Sequence, residues 1–107
     1  MNENSTPEIT VDELAGVRTS GVLVDVREPE EYAAGHVPGA VPIPMSQLAD
    51  RMGEIDKSLP VFVICASGNR SSAMTDLLRA AGFDAVSVTD GTGAWAQSGR
   101  PLEGGLA

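Results

Sequence analysis

The sequence predicts an α/β fold in which a parallel sheet is covered by helices on both faces. Three observations carry that prediction. Val22-Leu23-Val24-Asp25 and Val61-Phe62-Val63-Ile64-Cys65 are near-continuous apolar runs rich in β-branched residues, the pattern of strands buried on both faces. Around them lie segments with apolar residues three and four apart, the spacing of helices with one buried stripe. Extended and helical patterns alternate along the whole chain, and strands separated by helices build parallel sheets. The 107 residues amount to one domain, and 42% hydrophobic with 21% charged residues describes a folded globule, not a disordered tail.

Taken in order, Glu8-Ile9 reads as a short edge strand entering a helix at Thr10, where Thr10 and Glu13 form a capping-box pair. Leu14 and Val17 supply that helix's apolar face. The strand Val22 to Asp25 follows. Pro29 suits the first turn of a short helix through Glu30, Glu31 and Tyr32, which Gly35 ends. His36 to Pro44 reads as a turn and a short extended piece, since its three prolines forbid a helix. Ser46 is positioned to cap a helix carrying Leu48, Ala49, Met52 and Ile55. After the strand Val61 to Cys65 and a tight polar loop, Ser71 to Ala81 makes a helix with Ala73, Met74, Leu77, Leu78 and Ala81 on one face, stopped by Gly82. Ala85 to Val88 gives another strand. A glycine-containing turn leads to a short helix through Trp95, read as a core residue, that ends at Gly99. The domain is expected over residues 8–103, with flexible tails at 1–7 and 104–107.

Charge and composition exclude several functions. Seven basic against fifteen acidic side chains give a net charge of −8, a surface that repels nucleic-acid backbones and anionic lipid. The longest apolar run, Val61 to Ala66, falls far short of the ~18 residues of a membrane span. The first residues lack the basic start and apolar stretch of a secretory signal, so a cytoplasmic location is expected. With one cysteine, Cys65, and one histidine, His36, an internal disulfide, an iron–sulfur cluster or a thiolate- or histidine-rich metal site is not expected. A monomer is expected because no long apolar surface stripe is left unassigned.

Cys65 is where chemistry would sit. Ligands of open parallel sheets bind beyond the carboxyl ends of the strands, and Cys65 ends the most apolar strand. The chain then turns through Ala66, Ser67, Gly68, Asn69 and Arg70 into a helix at Ser71. Such a turn can aim several backbone N–H groups at one point, and the helix N-terminus adds partial positive charge. A thiol held there loses its proton readily. A lone cysteine after an apolar strand is ordinarily a small buried hydrophobe. The abrupt polar, glycine-bearing loop and following helix reverse that expectation, because a packing cysteine does not need them.

Four segments, in order, resemble the rhodanese (sulfurtransferase) domain family: Val24-Asp25-Val26-Arg27-Glu28-Pro29-Glu30-Glu31-Tyr32, Gly35-His36-Val37-Pro38-Gly39-Ala40, the Cys65 to Ser71 loop, and Gly91 through Trp95. The resemblance runs from about Ile9 to Leu102. It implies a small five-stranded parallel sheet, Cys65 as the catalytic nucleophile, and no metal or organic cofactor. The implied reaction is sulfane-sulfur transfer through a Cys65 persulfide. A small anionic donor such as thiosulfate, or a persulfide or polysulfide, supplies the sulfur, and a thiol or cyanide accepts it. A protein donor or acceptor is also compatible with it.

The resemblance carries over further roles. Arg27 is expected to bind thiosulfate, the alternative being an ion pair with Glu28, Glu30 or Glu31. Asp25 is expected to organise the loop through Arg70, and Arg70 either pairs with Asp25 or faces the pocket as an anion binder. His36 is expected to be structural. Two departures stand out. Ala66 and Ser67 are uncharged where relatives that use thiosulfate well carry basic residues, and Asp90-Gly91 replaces a common glycine pair. The alternatives are a non-catalytic binding or regulatory module, a sulfur carrier and, less favoured, a cysteine-dependent phosphatase. Phosphate-binding loops place one more residue between cysteine and arginine than the four found here.

Overall fold

The two apolar runs become neighbouring central strands of one parallel sheet. In the computed structural model, which describes residues 6–105, the strands are β1 (Glu8–Ile9), β2 (Val22–Asp25), β3 (Val41–Pro42), β4 (Val61–Ile64) and β5 (Ala85–Val88). Their spatial order is β1-β5-β4-β2-β3, every pairing parallel. All four residues of β4 are buried, as its uninterrupted apolar run requires. Five helices intervene: α1 (Val11–Val17), α2 (Pro29–Ala34), α3 (Leu48–Arg51), α4 (Asn69–Ala80) and α5 (Gly91–Gln97).

The period-two alternation of strand side chains divides the core into two layers. Val24 and Val26 with Val61, Val63, Cys65 and Ala85 meet Leu48 of α3 and Leu78 of α4. On the other face Leu23, Phe62, Ile64 and Val88 meet Leu14 of α1, Tyr32 of α2 and Trp95 of α5. The adjacent strands β2 and β4 are therefore followed by helices on opposite faces, α2 and α4. Their outgoing chains diverge, opening the crevice in which sheets of this kind bind ligands. Asp25 and Cys65 stand at its two sides.

Local signals account for most helix ends. Thr10 accepts from the Glu13 N–H and Glu13 reciprocates, completing the predicted capping box. Pro29 opens α2 and Gly35 follows its end. Four details differ from the sequence reading. Val11 and Leu14, one turn apart, form the buried face of α1, while Val17 is 42% exposed because the chain tightens there into a 3-10 turn over Arg18–Ser20. Ser46 caps nothing: it lies inside a 3-10 turn, Met45–Gln47, that begins after Pro44 and runs into α3. The α4 helix starts two residues early, at Asn69, because Gly68 at φ +108° completes the reversal before it. Its buried face holds Ser71, Thr75 and Leu78, with Ala73 turned to solvent.

At the ends of the described chain, Thr6 Oγ1 donates to Asp76 and the Pro7 carbonyl accepts from Ser87 N–H. Gly105 N–H donates to the Ala33 carbonyl. These residues, expected in flexible tails, are hydrogen-bonded to the body; residues 1–5 and 106–107 lie outside the described residues. No described helix is long and apolar enough to cross a membrane.

Leu78 is fully buried between α4 and the sheet. Leu78→Ala should cost about 2–5 kcal/mol in a urea melt, whereas Val17→Ala should stay within about 0.5 kcal/mol. Equal losses at the two positions would contradict the assignment of the core.

Candidate active site

The β4 strand delivers Cys65 to the carboxyl edge of the sheet, beside the crevice. The next residues curl back over its side chain. Gly68 N–H donates to Cys65 Sγ at 3.0 Å, and the Ser71 hydroxyl lies 3.5 Å from the same sulfur. The main-chain N–H groups of Ser67 and Ser71 also act on it. Burial pushes the Cys65 thiol up, but the hydrogen bonds from the Ser71 side chain and from the backbone of Ser71, Gly68 and Ser67 outweigh it. The thiol is left below its ordinary value. The twelve-residue α4 directs its positive end at the same place. Cys65 is only 1% exposed, yet its sulfur faces donors rather than hydrocarbon alone.

A loop of inward-pointing amides needs its carbonyls held outward, and α5 does this. Thr92 N–H donates to the Cys65 carbonyl at 2.8 Å and Gly93 N–H to the Ala66 carbonyl at 3.1 Å. Both peptide planes are fixed with their oxygens away from the thiol. The approach is close enough that a Cβ at Gly91 would overlap the Cys65 carbonyl oxygen and lie 2.9 Å from that of Ala66. Gly91 also has φ +52°, a left-handed conformation. The preceding Asp90, at φ +59°, is the one described non-glycine residue in that region, so an aspartate serves where a glycine pair is common.

The charged groups pair differently from the sequence expectation. Asp25 was expected to hold Arg70; it holds Arg27 instead. Arg27 Nε and Nη2 donate to the Asp25 carboxylate at 3.0 and 2.9 Å, its N–H donates to Oδ1 at 3.0 Å, and Nη2 also reaches the Gly35 carbonyl. The reason is strand geometry: residues two apart in extended chain share a side. Arg27, expected to bind thiosulfate or to pair with Glu28, Glu30 or Glu31, is 7% exposed and tied to a buried aspartate. Arg70 pairs with Glu31 across the crevice, Nη1 to Oε1 at 2.7 Å and Nη2 to Oε2 at 2.9 Å. The Arg70 hydrogen bonds hold Glu31 down to about 2, well below the usual carboxylate range. Ala66 is half-buried, and Ser67 and Asn69 are exposed and uncharged. A cavity of about 310 Å³ beside the loop is lined by Arg27, Glu31, Ala66, Thr92 and Leu102.

His36 lies outside this cluster. It is buried, stacks on Tyr32 at 3.6 Å and bonds the Tyr32 carbonyl through Nδ1, a structural arrangement. Trp95 is a core residue, its indole N–H donating to the Pro101 carbonyl. Sequence reasoning gave no site role to Glu31, Gly91, Thr92, Gly93 or Ser87, the last bonded to Ser71. Gly91 had a signal, a Gly-x-Gly separated from the end of a strand by two residues. Glu31 had none that separated it from its acidic neighbours.

Gly91→Ala should displace the loop carbonyls and slow alkylation of Cys65 by iodoacetamide at neutral pH by about tenfold or more. Gly16→Ala, at an uncrowded helical site, should leave that rate unchanged. An unaltered rate in Gly91→Ala would show that the contact with α5 does not orient the loop.

Comparison with known proteins agrees with this architecture. The family description "Rhodanese-like domain" matches residues 10–98. The HTH-type transcriptional regulator Rv0324 of Mycobacterium tuberculosis is 38% identical over 101 residues, covering 91% of this chain and 45% of that protein. The Bacillus subtilis protein named "Putative sulfur carrier protein YrkF" is 34% identical over 98 residues, 88% of this chain and 53% of its own length. The chain thus spans about half the length of these curated relatives. Among solved structures, a rhodanese-related protein from Thermoplasma volcanium superposes with a TM-score of 0.87 at 31% identity, covering 94% of this chain and 99% of the other. The thiosulfate sulfurtransferase from Pseudomonas aeruginosa gives 0.81 at 32%, covering 94% of this chain and 20% of that one. With its all-parallel five-stranded sheet and a family match over most of its length, this chain belongs to the rhodanese-like domain family.

Proposed function

We infer that this domain is a sulfurtransferase that carries one sulfane sulfur on Cys65. The observation that supports this most is the placing of Cys65 Sγ under the turn into α4, where Gly68 N–H donates to it at 3.0 Å and Ser71 Oγ lies 3.5 Å away. In the first half-reaction the Cys65 thiolate attacks the terminal sulfur of the donor. A new S–S bond forms, the donor's own bond to that sulfur breaks, and its electron pair leaves with the departing group, sulfite in the case of thiosulfate. The product is a Cys65 persulfide anion, whose charge passes to the outer sulfur within reach of the same donors. In the second half-reaction an acceptor thiolate takes the outer sulfur and Cys65 leaves as the thiolate. Charge balances in each step, and no general acid is required because sulfite and thiolate depart as anions. That suits a loop without a neighbouring histidine.

Electrostatics favours one class of donor. Thiosulfate is a dianion, but the site's two arginines, Arg27 and Arg70, are neutralised by Asp25 and Glu31, and Ala66 and Ser67 bring no charge. Glu28 and Glu30 stand exposed on the neighbouring segment. A persulfide carries a single negative charge and a polysulfide spreads its two over the ends of a longer chain; each presents a protruding terminal sulfur, which a thiol 1% exposed at the base of a loop can reach. Persulfide and polysulfide are therefore the preferred donors, with thiosulfate a slower one. Turnover of phosphate esters is disfavoured, because the Cys65–Arg70 loop is short and its arginine is engaged by Glu31.

The test is intact-protein mass spectrometry after separate incubation with polysulfide and thiosulfate. Polysulfide should add one sulfur atom, removable by cyanide or dithiothreitol and absent in Cys65→Ala, and thiosulfate should load at least about tenfold more slowly at equal concentration. No added sulfur from either donor, or equal addition to Cys65→Ala, would overturn the assignment.

A further inference from the structure

The thiol-activating hydroxyl of Ser71 does not act alone. Behind it, on β5, stands Ser87, a polar residue within the strand Ala85-Val86-Ser87-Val88. Ser71 and Ser87 are both 0% exposed, and their hydroxyl oxygens are 2.8 Å apart. Ser87 shares the sheet face of Val63, Cys65 and Ala85, beneath the first turn of α4, and its main chain is anchored by its N–H bond to the Pro7 carbonyl. Such a core position is favoured where the hydroxyl finds a partner, since a buried hydroxyl without one costs about 1–3 kcal/mol.

Counting protons gives the direction of the bond. Among the described residues, the only hydrogen-bond partner of the Ser87 hydroxyl is Ser71 Oγ. Ser71 Oγ has two other neighbours, the Gly68 carbonyl at 3.2 Å and Cys65 Sγ at 3.5 Å. If Ser71 donated to Ser87, the Ser87 proton would be buried with nothing to bond. If Ser87 donates to Ser71, both protons are used, and the Ser71 proton is free to turn toward the carbonyl or the sulfur. The carbonyl does not depend on it, because Gly68 O already accepts from Ser72 N–H. We propose that Ser87 is a positioning residue: its hydroxyl donates to Ser71 Oγ and so commits the proton of Ser71 to the anionic sulfur of Cys65. When Cys65 is a neutral thiol, Ser71 donates to the Gly68 carbonyl; when the sulfur is anionic, the same hydroxyl rotates to it. Donation from Ser87 polarises the Ser71 O–H and strengthens that bond. No proton passes along the pair, and the thiol proton leaves to solvent.

This assignment deepens the proposed function but is tested apart from it, through the pH dependence of iodoacetamide alkylation of Cys65, which needs no sulfur transfer. The charged groups at this end of the sheet are Arg70 paired with Glu31, Asp25 paired with Arg27, the exposed Asp90 before α5 and the exposed Glu8, the register partner of Ser87 on β1; α3 contributes the apolar Leu48. None of them bonds the Ser87 hydroxyl, so its removal leaves them in place. Ser87→Ala should raise the alkylation midpoint by about half a pH unit or more. Ser87→Thr, which keeps a hydroxyl, should restore most of the shift, and Ser87→Ala should add nothing in a Ser71→Ala background. Thr75→Val removes a buried hydroxyl from α4, the helix of Ser71, one with no partner among the described residues, and should leave the midpoint unchanged. A Ser87→Ala midpoint equal to wild type, an equal shift in Thr75→Val, or a full additional shift in the Ser71→Ala background would overturn the proposal. Failure of sulfur loading with these midpoint shifts intact would overturn the function alone.

Discussion

Everything at this site depends on peptide planes held the unusual way round. A loop that turns its N–H groups onto one sulfur must turn its carbonyls outward, and outward carbonyls at a sheet edge need partners of their own. The first turn of α5 supplies them: Thr92 and Gly93 bind the Cys65 and Ala66 carbonyls, and Gly91 lets the backbones meet. The sulfur can then be both buried and anionic. Burial alone would make the thiol a poorer acid, and the donors reverse that outcome.

Topology places this arrangement where a substrate can meet it. Because the chains leaving β2 and β4 go to opposite faces, the ends of two adjacent strands lie open together, and each contributes one ionic element. Asp25 clasps Arg27 on the β2 side, and the Arg70–Glu31 pair bridges the two sides. These pairs give the crevice walls of fixed shape and little free charge. On the proposed function, the site would select by the size and softness of the transferred atom more than by long-range attraction, in keeping with a protein whose net charge of −8 repels anions at a distance.

How much of this was legible in the sequence follows from the range of each interaction. The central strands, the Thr10–Glu13 capping box, the Pro29 start and Gly35 stop of α2, and the position of Cys65 at the edge of the sheet are set by neighbours within a few residues. Each carries its own pattern. Ser46 misled because a hydroxyl before an apolar periodicity resembles a cap, while Pro44 instead commits the chain to a 3-10 turn. Of the apolar face read for α4, Leu78 is buried and Met74, Leu77 and Ala81 pack against the core; only Ala73 faces solvent, while Ser71 and Thr75 are buried but polar, and an apolar stripe cannot reveal them. The ion pairs resisted prediction for another reason: Arg70 could reach either Asp25 or Glu31, and only the paths of α2 and α4 decide between them. Ser87 and Ser71 are sixteen positions apart, brought together by β5 passing beneath α4.

The central claim is that the native loop stabilises Cys65 as a thiolate. The most direct measurement is the ultraviolet absorbance of the thiolate in the wild-type protein as pH is varied, with Cys65→Ser as the blank. A midpoint clearly below the ~8.5 of an unperturbed cysteine, moving up to that value when the protein is unfolded in urea, is the result expected. A native midpoint at or above the unfolded one would mean that burial prevails over the donors and that the loop does not hold an anion.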